Sequence, residues 1–140
     1  MQMSNFIKIE VEIGLTPEKV WSYWTESKHI MNWNFAIPEW HCPFAVIDLR
    51  VGGNFTYRME AKDGSFGFDF GGTYTEVEPC KCLAFTLGDG RKVRIVIEPV
   101  ENGVKLTEFF EPEDQNPLEM QRGGWLSILT NFKTYAESQG

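Results

Sequence analysis

Apolar and polar residues alternate with a period of two near the start of the chain. Positions 7, 9, 11 and 13 are apolar, and the opposite face of an extended segment would carry the charged residues Lys8, Glu10 and Glu12. The pattern predicts a strand over residues 6–13 with one side in water. Thr16 and Pro17 then favour a helix start, because threonine caps helices and proline fits the first helical position. We expect a short helix there that turns inward Val20, Trp21 and Trp24.

The middle of the chain predicts a loop followed by a series of strands. Residues 27–44 are rich in Trp, His, Pro and Asn without a steady period, which favours a loop with a helical turn. Five turn signals follow: Gly52-Gly53, Asp63-Gly64, Glu78-Pro79, Asp89-Gly90 and Asn102-Gly103. They delimit strands near residues 45–51, 54–61, 66–77, 81–88, 91–98 and 103–111. Because every connection is short, neighbouring strands must pair antiparallel as a meander.

The last part of the chain has a helical period. Asn116 can cap the helix, Pro117 fits its first position, and Glu119 is the acid of a capping box. Apolar residues recur at helical spacing at Leu118, Trp125, Leu129, Phe132 and Ala136. They predict a helix of roughly 20 residues, about 30 Å long.

These elements predict an α+β fold, a curved antiparallel sheet wrapped on a long C-terminal helix. Gly52-Gly53 and Gly71-Gly72 stand where bulges and sharp bends would curve the sheet. A curved sheet and a straight helix do not fit along their whole length, so we expect an internal space between them.

Composition narrows the function classes. The 140 residues, 42% hydrophobic and 24% charged, suit one domain over residues 1–140. Thirteen basic against twenty acidic residues give a net charge of −7, which disfavours nucleic-acid binding. The chain lacks an apolar run long enough to cross a membrane, and residues 1–5 lack signal-peptide features. With three cysteines, an odd number, we expect a soluble cytoplasmic protein with reduced thiols.

Several blocks along the chain, in matching order and spacing, resemble the activator-of-Hsp90-ATPase-like branch of the START-like (SRPBCC) superfamily. They are residues 15–21 (LTPEKVW), Trp33, 48–55 (DLRVGGNF), 63–64 (DG), 72–79 (GTYTEVEP) and 124–129 (GWLSIL). The resemblance covers nearly the whole chain and is closest to the subgroup of the calicheamicin-resistance protein, a self-sacrificing binder of an enediyne antibiotic. It implies the helix-grip fold with an apolar cavity under the long helix.

The resemblance says less about activity, because relatives include lipid carriers, aromatase/cyclases, hormone receptors and co-chaperone domains. The co-chaperone proper carries an additional amino-terminal chaperone-binding domain. Nothing of that size precedes residue 1 in this sequence. The sequence therefore favours ligand binding over a chaperone role.

Aromatic residues, 14% of the chain, suggest what the internal space contains. One predicted strand would turn Phe55, Tyr57 and Met59 to one face, and the next would turn Phe66, Phe68 and Phe70. These rings either fill the core or line a ligand pocket. Gly123-Gly124 inside the predicted helix favours the pocket, because such glycines suggest a close backbone approach or an opening for ligand.

Glu108 is the candidate polar group of that pocket. It shares phase with Val104, Leu106 and Phe110, which would turn its carboxylate inward. A buried acid requires a partner or a raised pKa. It could orient a ligand group or act as a base, and a one-residue bulge would instead return it to solvent.

Other chemistry-bearing residues favour structural roles. Asp48 and Arg50 could bind a substrate, but an ion pair between them that fixes the sheet is the favoured interpretation. His41 and Cys42 would point apart in an extended chain, so we expect a loop at the cavity mouth with Trp40 and His41 touching ligand rather than nucleophilic catalysis.

Metal and nucleotide chemistry are disfavoured as well. Cys80 and Cys82 have the wrong spacing for zinc, so we expect no metal. The sequence also lacks a phosphate loop, a GxSxG elbow and an HExxH motif.

The leading hypothesis is non-enzymatic binding of a small hydrophobic or aromatic molecule between sheet and helix, without cofactor, catalytic residue or metal. The predicted ligand-binding residues are Trp33, Trp40, His41, Tyr57, Met59, Phe68, Tyr74, Glu108, Trp125 and Leu129. One alternative is an interaction module that stimulates a chaperone ATPase, with a chaperone or a second copy of the chain as partner. Another is a cyclase-type enzyme in which Glu108 or His41 transfers protons.

Overall fold

The computed structural model describes residues 6–139. Residues 1–5, used above in arguing against a signal peptide, and residue 140 lie outside this range. The elements in chain order are β1 (Ile7–Ile13), α1 (Pro17–Thr25), α2 (Ser27–Ile30), β2 (Trp40–Ile47), β3 (Asn54–Ala61), β4 (Gly67–Glu78), β5 (Cys82–Leu87), β6 (Lys92–Val100), β7 (Gly103–Phe110) and α3 (Leu118–Gln139).

The strands form one curled antiparallel sheet with the order β1-β7-β6-β5-β4-β3-β2. Strands β2 to β7 pair in sequence order, and β1 closes the series by pairing with β7. The α+β helix-grip architecture and the meander are therefore confirmed. Short turns enforce this order, because a parallel return would need a much longer crossover.

Helix α3 lies on the inner face of the sheet, and hydrogen bonds near both of its ends connect it to β1 and to the residue that follows β1. Near its start, the Arg122 guanidinium donates to the Lys8 carbonyl of edge strand β1 at 2.8 Å. Near its end, the Gly14 N–H donates to the Glu137 carboxylate at 3.1 Å. Its carboxy-terminal half is packed tightly through the fully buried side chains of Leu129, Phe132 and Ala136.

The two helix starts differ in how well the sequence predicts them. Helix α1 begins as expected, with the Thr16 hydroxyl accepting from the Lys19 N–H at 3.3 Å. Helix α3 begins at Leu118, one residue after the expected start at Pro117, and the Asn116 amide donates to the Glu113 carboxylate at 3.1 Å.

Strand β2 differs from the expectation of a strand over residues 45–51. It starts at Trp40, because Trp40 and His41 pair with the end of β3 before a bulge shifts the register ahead of Phe44. The bulge accommodates Pro43 on an edge strand, where the missing N–H is tolerated. The predicted loop around Trp40 and His41 is therefore wrong.

Residues beyond Ile47 turn instead of continuing the strand. The Gly53 N–H donates to the Arg50 carbonyl at 2.8 Å, and a Cβ at Gly53 would lie 2.0 Å from the Asp48 carbonyl oxygen. The expected Asp48–Arg50 ion pair is present at 2.9 Å. It closes this turn rather than bracing the sheet.

The glycine pair in α3 also has a different role from the one expected. Gly123 and Gly124 are exposed, and a Cβ added to either would meet nothing within 4 Å. The prediction that they permit a close backbone approach is wrong.

Candidate ligand-binding site

A cavity of about 320 Å³ lies between the amino-terminal half of α3 and the inner face of the sheet. Six of the residues predicted to bind ligand line it: Trp33, Tyr57, Met59, Phe68, Glu108 and Trp125. They come from the segment after α2, from strands β3, β4 and β7, and from α3. Pleated strands project alternate side chains to the same face, so the sheet supplies most of the wall.

Trp125 joins the helix to the sheet above this cavity. Its indole lies flat on the Phe110 ring of β7, with centroids 4.1 Å apart and planes 6° apart. It also meets the edge of Phe70 at 5.9 Å. Trp125 therefore holds α3 at a distance from β3 and β4, and the cavity occupies the gap beside it.

One end of the cavity is closed by packed aromatic rings. Trp24 of α1 and Trp33 stand 4.6 Å apart, and each meets Phe132 of α3 edge to face at 4.8 and 4.9 Å. The Trp33 indole N–H donates to the Tyr23 carbonyl at 2.9 Å. This cluster is tightly packed, so the wall is rigid.

Glu108 presents a carboxyl to the cavity from β7. It stands opposite Ile9 of β1 and Ile95 of β6, both buried on the inner face, which confirms its inward orientation. The residue is 6% exposed. Burial alone raises its pKa to about 8, so the carboxyl is protonated at neutral pH and can both donate and accept.

Asn34 presents an amide from the segment between α2 and β2. The residue is 6% exposed, and within the described residues its Nδ2 has no hydrogen-bond partner. Its position is firmly set, because the Asn131 amide of α3 donates to the carbonyls of Trp33 and Phe35 at 3.0 and 3.3 Å. The side chain lies beside the buried Cys42 thiol, whose sulfur is a weak acceptor.

Tyr57 is the third polar group of the interior. Burial raises its pKa well above the ordinary value, and the nearby Tyr74, Cys42 and Glu108 raise it further. The hydroxyl is therefore neutral at all ordinary pH values.

Gln121, in contrast, has its hydrogen bonds satisfied by protein. Its carbonyl accepts from the Glu113 N–H at 2.9 Å, and its amide donates to the carbonyls of Glu113 and Asn116 at 3.0 and 2.8 Å. These hydrogen bonds hold residues 113–116, which precede α3, against the cavity.

The mouth of the cavity lies where exposed lining residues gather. Phe68 is 40% exposed, and Asn116 is exposed on the opposite rim. Arg91 lies on the same rim, and its guanidinium is held by Asp89 at 2.8 Å.

Four predicted ligand-binding residues do not line the cavity. Trp40 packs outside the mouth, 5.9 Å from both Phe66 and Phe68. His41 lies on the opposite face of the sheet, 3.8 Å from Glu60. Tyr74 is stacked on Phe55 at 5.0 Å, and Leu129 is fully buried under α3.

The prediction also omitted lining residues that the fold brings in. The apolar ones are Trp24, Phe70, Phe85 and Ile128. The polar ones are Asn34, Arg91, Glu113, Asn116 and Gln121. Helical spacing from Trp125 would have indicated Gln121 and Ile128. Asn34 gives no signal in the sequence, because distant contacts set its position.

Within residues 6–139, no group of three or more His, Cys, Asp or Glu side chains is arranged to hold a metal ion. Cys42, Cys80 and Cys82 are free thiols. None of the helices in this range combines the length and apolar character that a membrane crossing requires.

A family model and several solved structures match this chain. The model of the family described as activator of Hsp90 ATPase homolog 1-like protein matches residues 15–137. A solution structure of an AHSA1-like protein from Aeromonas hydrophila is 41% identical, covers 96% of this chain and 94% of its own, and superposes with a TM-score of 0.92.

Two further solved structures share the architecture. A protein from Cytophaga hutchinsonii is 49% identical, with 97% of this chain and 94% of that chain covered and a TM-score of 0.83. A protein from Nitrosomonas europaea, 21% identical over 99% and 98% of the two chains with a TM-score of 0.84, shows the fold alone. No curated protein matches the chain.

Proposed function

Because the chain belongs to the activator of Hsp90 ATPase homolog 1-like family, whose fold is known for a ligand-binding cavity, we propose that it binds a small hydrophobic or aromatic molecule between the sheet and α3. The proposal treats residues 1–140 as one domain that acts by binding and not by catalysis. It also locates the protein in the cytoplasm, where the three free thiols would stay reduced.

The observation that carries this proposal is the cavity of about 320 Å³, whose surface is mainly apolar. Small-molecule sites in proteins are typically concave, apolar and largely preformed, with volumes of roughly 300 Å³ and above. The carboxy-terminal half of α3 packs tightly on the sheet through the fully buried Leu129, Phe132 and Ala136. The empty space is therefore confined to the amino-terminal half of the helix.

A cyclase-type reaction has less support. A group that transfers a proton must lie within reach of the substrate, and only one of the two candidate groups meets this condition. Glu108 lines the cavity, whereas His41 lies on the opposite face beside Glu60. A place in the subgroup of the calicheamicin-resistance protein is compatible with the binding proposal and would make the ligand a rigid polycyclic or unsaturated molecule.

The family description supports a second candidate, stimulation of a chaperone ATPase. Phe66 and Phe68, 62% and 40% exposed, pack against the half-buried Trp40 and offer an aromatic contact surface. Adding the protein to purified Hsp90 would raise its ATPase rate, and Phe66→Ser would reduce that rise. An unchanged ATPase rate with the wild-type protein would exclude this function.

The binding proposal is tested with a variant that fills the cavity. Ile128→Trp would place an indole in the space, whereas Ser127→Trp adds the same group to the exposed side of α3. We expect the neutral fluorescent probe phenylnaphthylamine to bind the wild type and Ser127→Trp, and to bind Ile128→Trp at least about tenfold more weakly. Equal binding by both variants, or no binding below millimolar concentration by the wild type, would contradict the proposal.

A further inference from the structure

The Glu108 carboxyl is surrounded by apolar side chains on the inner face of the sheet. Glu108 stands between Ile9 of β1 and Ile95 of β6. On β7 itself, Leu106 and Phe110 are its neighbours on the same face. All four apolar residues are at most 2% exposed. Because facing side chains on paired strands are only about 5 Å apart, these four are the nearest sheet neighbours, and none of them supplies a cation or a hydrogen bond.

The oxygens of this carboxyl are open to the cavity. Within residues 6–139, neither oxygen of Glu108 has a hydrogen-bond partner or a cation beside it. The polar side-chain atoms that are both enclosed and unpartnered belong to Asn34, Tyr74 and Thr107, and the Glu108 oxygens are not among them. They therefore retain accessible surface, and Glu108 lines the cavity. A ligand in the cavity can reach the Glu108 carboxyl, whereas the Nδ2 of Asn34 is closed off.

The other polar groups of the lining do not compensate the carboxyl. The Gln121 amide donates to the Glu113 carbonyl at 3.0 Å, and the Arg91 guanidinium at the mouth is held by Asp89 at 2.8 Å. An isolated carboxylate in an apolar space is costly, so the neutral form is favoured. Burial accordingly raises the pKa of Glu108 to about 8.

A neutral carboxyl defines the complementary ligand group. It presents an O–H donor and a C=O acceptor side by side. A lactam, an imide or a primary amide satisfies both, because each carries an N–H and a carbonyl on the same edge. A ketone or an ester leaves the acceptor of the carboxyl unpaired, which is costly in a buried site. An ammonium group offers no acceptor to the O–H and would require the carboxyl to ionise in an apolar space.

We propose that the cavity recognises a neutral, mainly apolar ligand with an adjacent N–H and carbonyl, of the lactam or primary amide class, through a pair of hydrogen bonds with the Glu108 carboxyl. The ligand N–H donates to the carboxyl C=O, and the ligand carbonyl accepts from the carboxyl O–H. The proposal rests on the binding function proposed above and names the ligand class of that same cavity. The apolar part of the ligand would lie among Met59, Phe70 and Trp125.

Two isomers of equal size test the ligand class. In 4-methyl-2-quinolone an N–H lies beside the carbonyl, whereas N-methyl-2-quinolone carries the methyl group on the nitrogen and has no N–H. Naphthylmethylamine is a probe of similar size that carries an ammonium group. We expect calorimetry at pH 6 to show the 4-methyl isomer binding roughly tenfold tighter than the N-methyl isomer, and the amine binding no tighter than the N-methyl isomer.

Variants of Glu108 identify the group responsible. Glu108→Leu removes both the donor and the acceptor, so it should reduce the preference for the 4-methyl isomer to about twofold or less. Glu108→Gln is the matched variant, because its amide presents one donor edge and one acceptor as the neutral carboxyl does, and it should keep the preference. Binding of phenylnaphthylamine by both variants verifies that the cavity is intact.

The pH dependence of binding gives an independent readout. Above about pH 8 Glu108 loses its O–H, and its oxygens then repel the ligand carbonyl. We expect the affinity of the wild type for 4-methyl-2-quinolone to fall there and to stay constant in Glu108→Gln. The residues opposite Glu108 on β1 and β6 and the lining residues of α1 and α3 do not titrate. The other charged or titratable groups of the lining are Tyr57 on β3, Arg91 between β5 and β6, and Glu113 ahead of α3.

The outcomes separate this inference from the function on which it rests. Equal affinity for the two isomers, tighter binding of the amine, or an unchanged preference in Glu108→Leu would overturn the recognition by Glu108 while leaving apolar binding in place. Binding of phenylnaphthylamine without binding of either quinolone would do the same. Failure of every probe to bind would overturn both proposals.

Discussion

Replacing Glu108 with glutamine should remove a large pH dependence of stability. The wild-type carboxyl has a pKa of about 8 in the folded protein, compared with 4.5 for an ordinary glutamate. Between these values the folded protein keeps a proton that the unfolded chain releases. Because the native state binds more protons in this window, the free energy of unfolding decreases as pH rises from about 4.5 and levels off above about 8.

The magnitude follows from the two pKa values. Keeping Glu108 protonated costs about 1 kcal/mol at pH 5 and about 3 kcal/mol at pH 7 relative to the acidic limit, a change of about 2–3 kcal/mol. Glutamine has nearly the same shape and no proton to lose. The unfolding free energy of Glu108→Gln relative to wild type should therefore increase by that amount from pH 5 to pH 7.

Urea denaturation followed by tryptophan fluorescence at pH 5, 6 and 7 measures this difference. Glu78→Gln, at an exposed position of β4, is the control, and its difference from wild type should be constant. A constant difference for Glu108→Gln as well would refute the reasoning, because it would mean that Glu108 is hydrated or ionised in the folded protein.

Two further predictions concern α3. Trp125→Ala should lower the free energy of unfolding by about 2–3 kcal/mol in urea titrations, because the half-buried indole stacks on Phe110. Leu118→Ala, at an exposed position of the same helix, is the control. An equally small loss in both variants would contradict the claim that Trp125 joins α3 to the sheet. Gly124→Ala should raise the midpoint of thermal unfolding by adding about 0.5–1 kcal/mol to the free energy of unfolding, because the new Cβ meets no atom within 4 Å and alanine favours the helix. A lower midpoint would contradict the conclusion that Gly124 lies on an open face of α3.

Local patterns in the sequence predict most of the architecture. The alternation around Glu108 and the dipeptides Asp63-Gly64 and Asp89-Gly90 indicate strands and their antiparallel order, because strand pleat and short turns are local properties. The sequence pattern misplaces strand β2, because Pro43 and a bulge interrupt the alternation there.

The cavity is harder to predict than the sheet that forms its wall. Alternation turns both Tyr57 and Tyr74 inward, yet only Tyr57 lines the cavity, since the distance of α3 from the sheet differs along its length. That distance depends on the stacking of Trp125 on Phe110, which is a tertiary contact. Asn34 likewise owes its place to Asn131, 97 positions later in the chain.

The central claim is that an apolar ligand enters the space under the first half of α3. Intermolecular NOEs between bound phenylnaphthylamine and the protein's methyl groups test it most directly. The account predicts NOEs to Met59 and Ile128, which line the cavity, and none to Leu118 and Met120, which are exposed on the same helix. NOEs confined to Leu118 and Met120 would contradict the claim, because the probe would then lie on the surface.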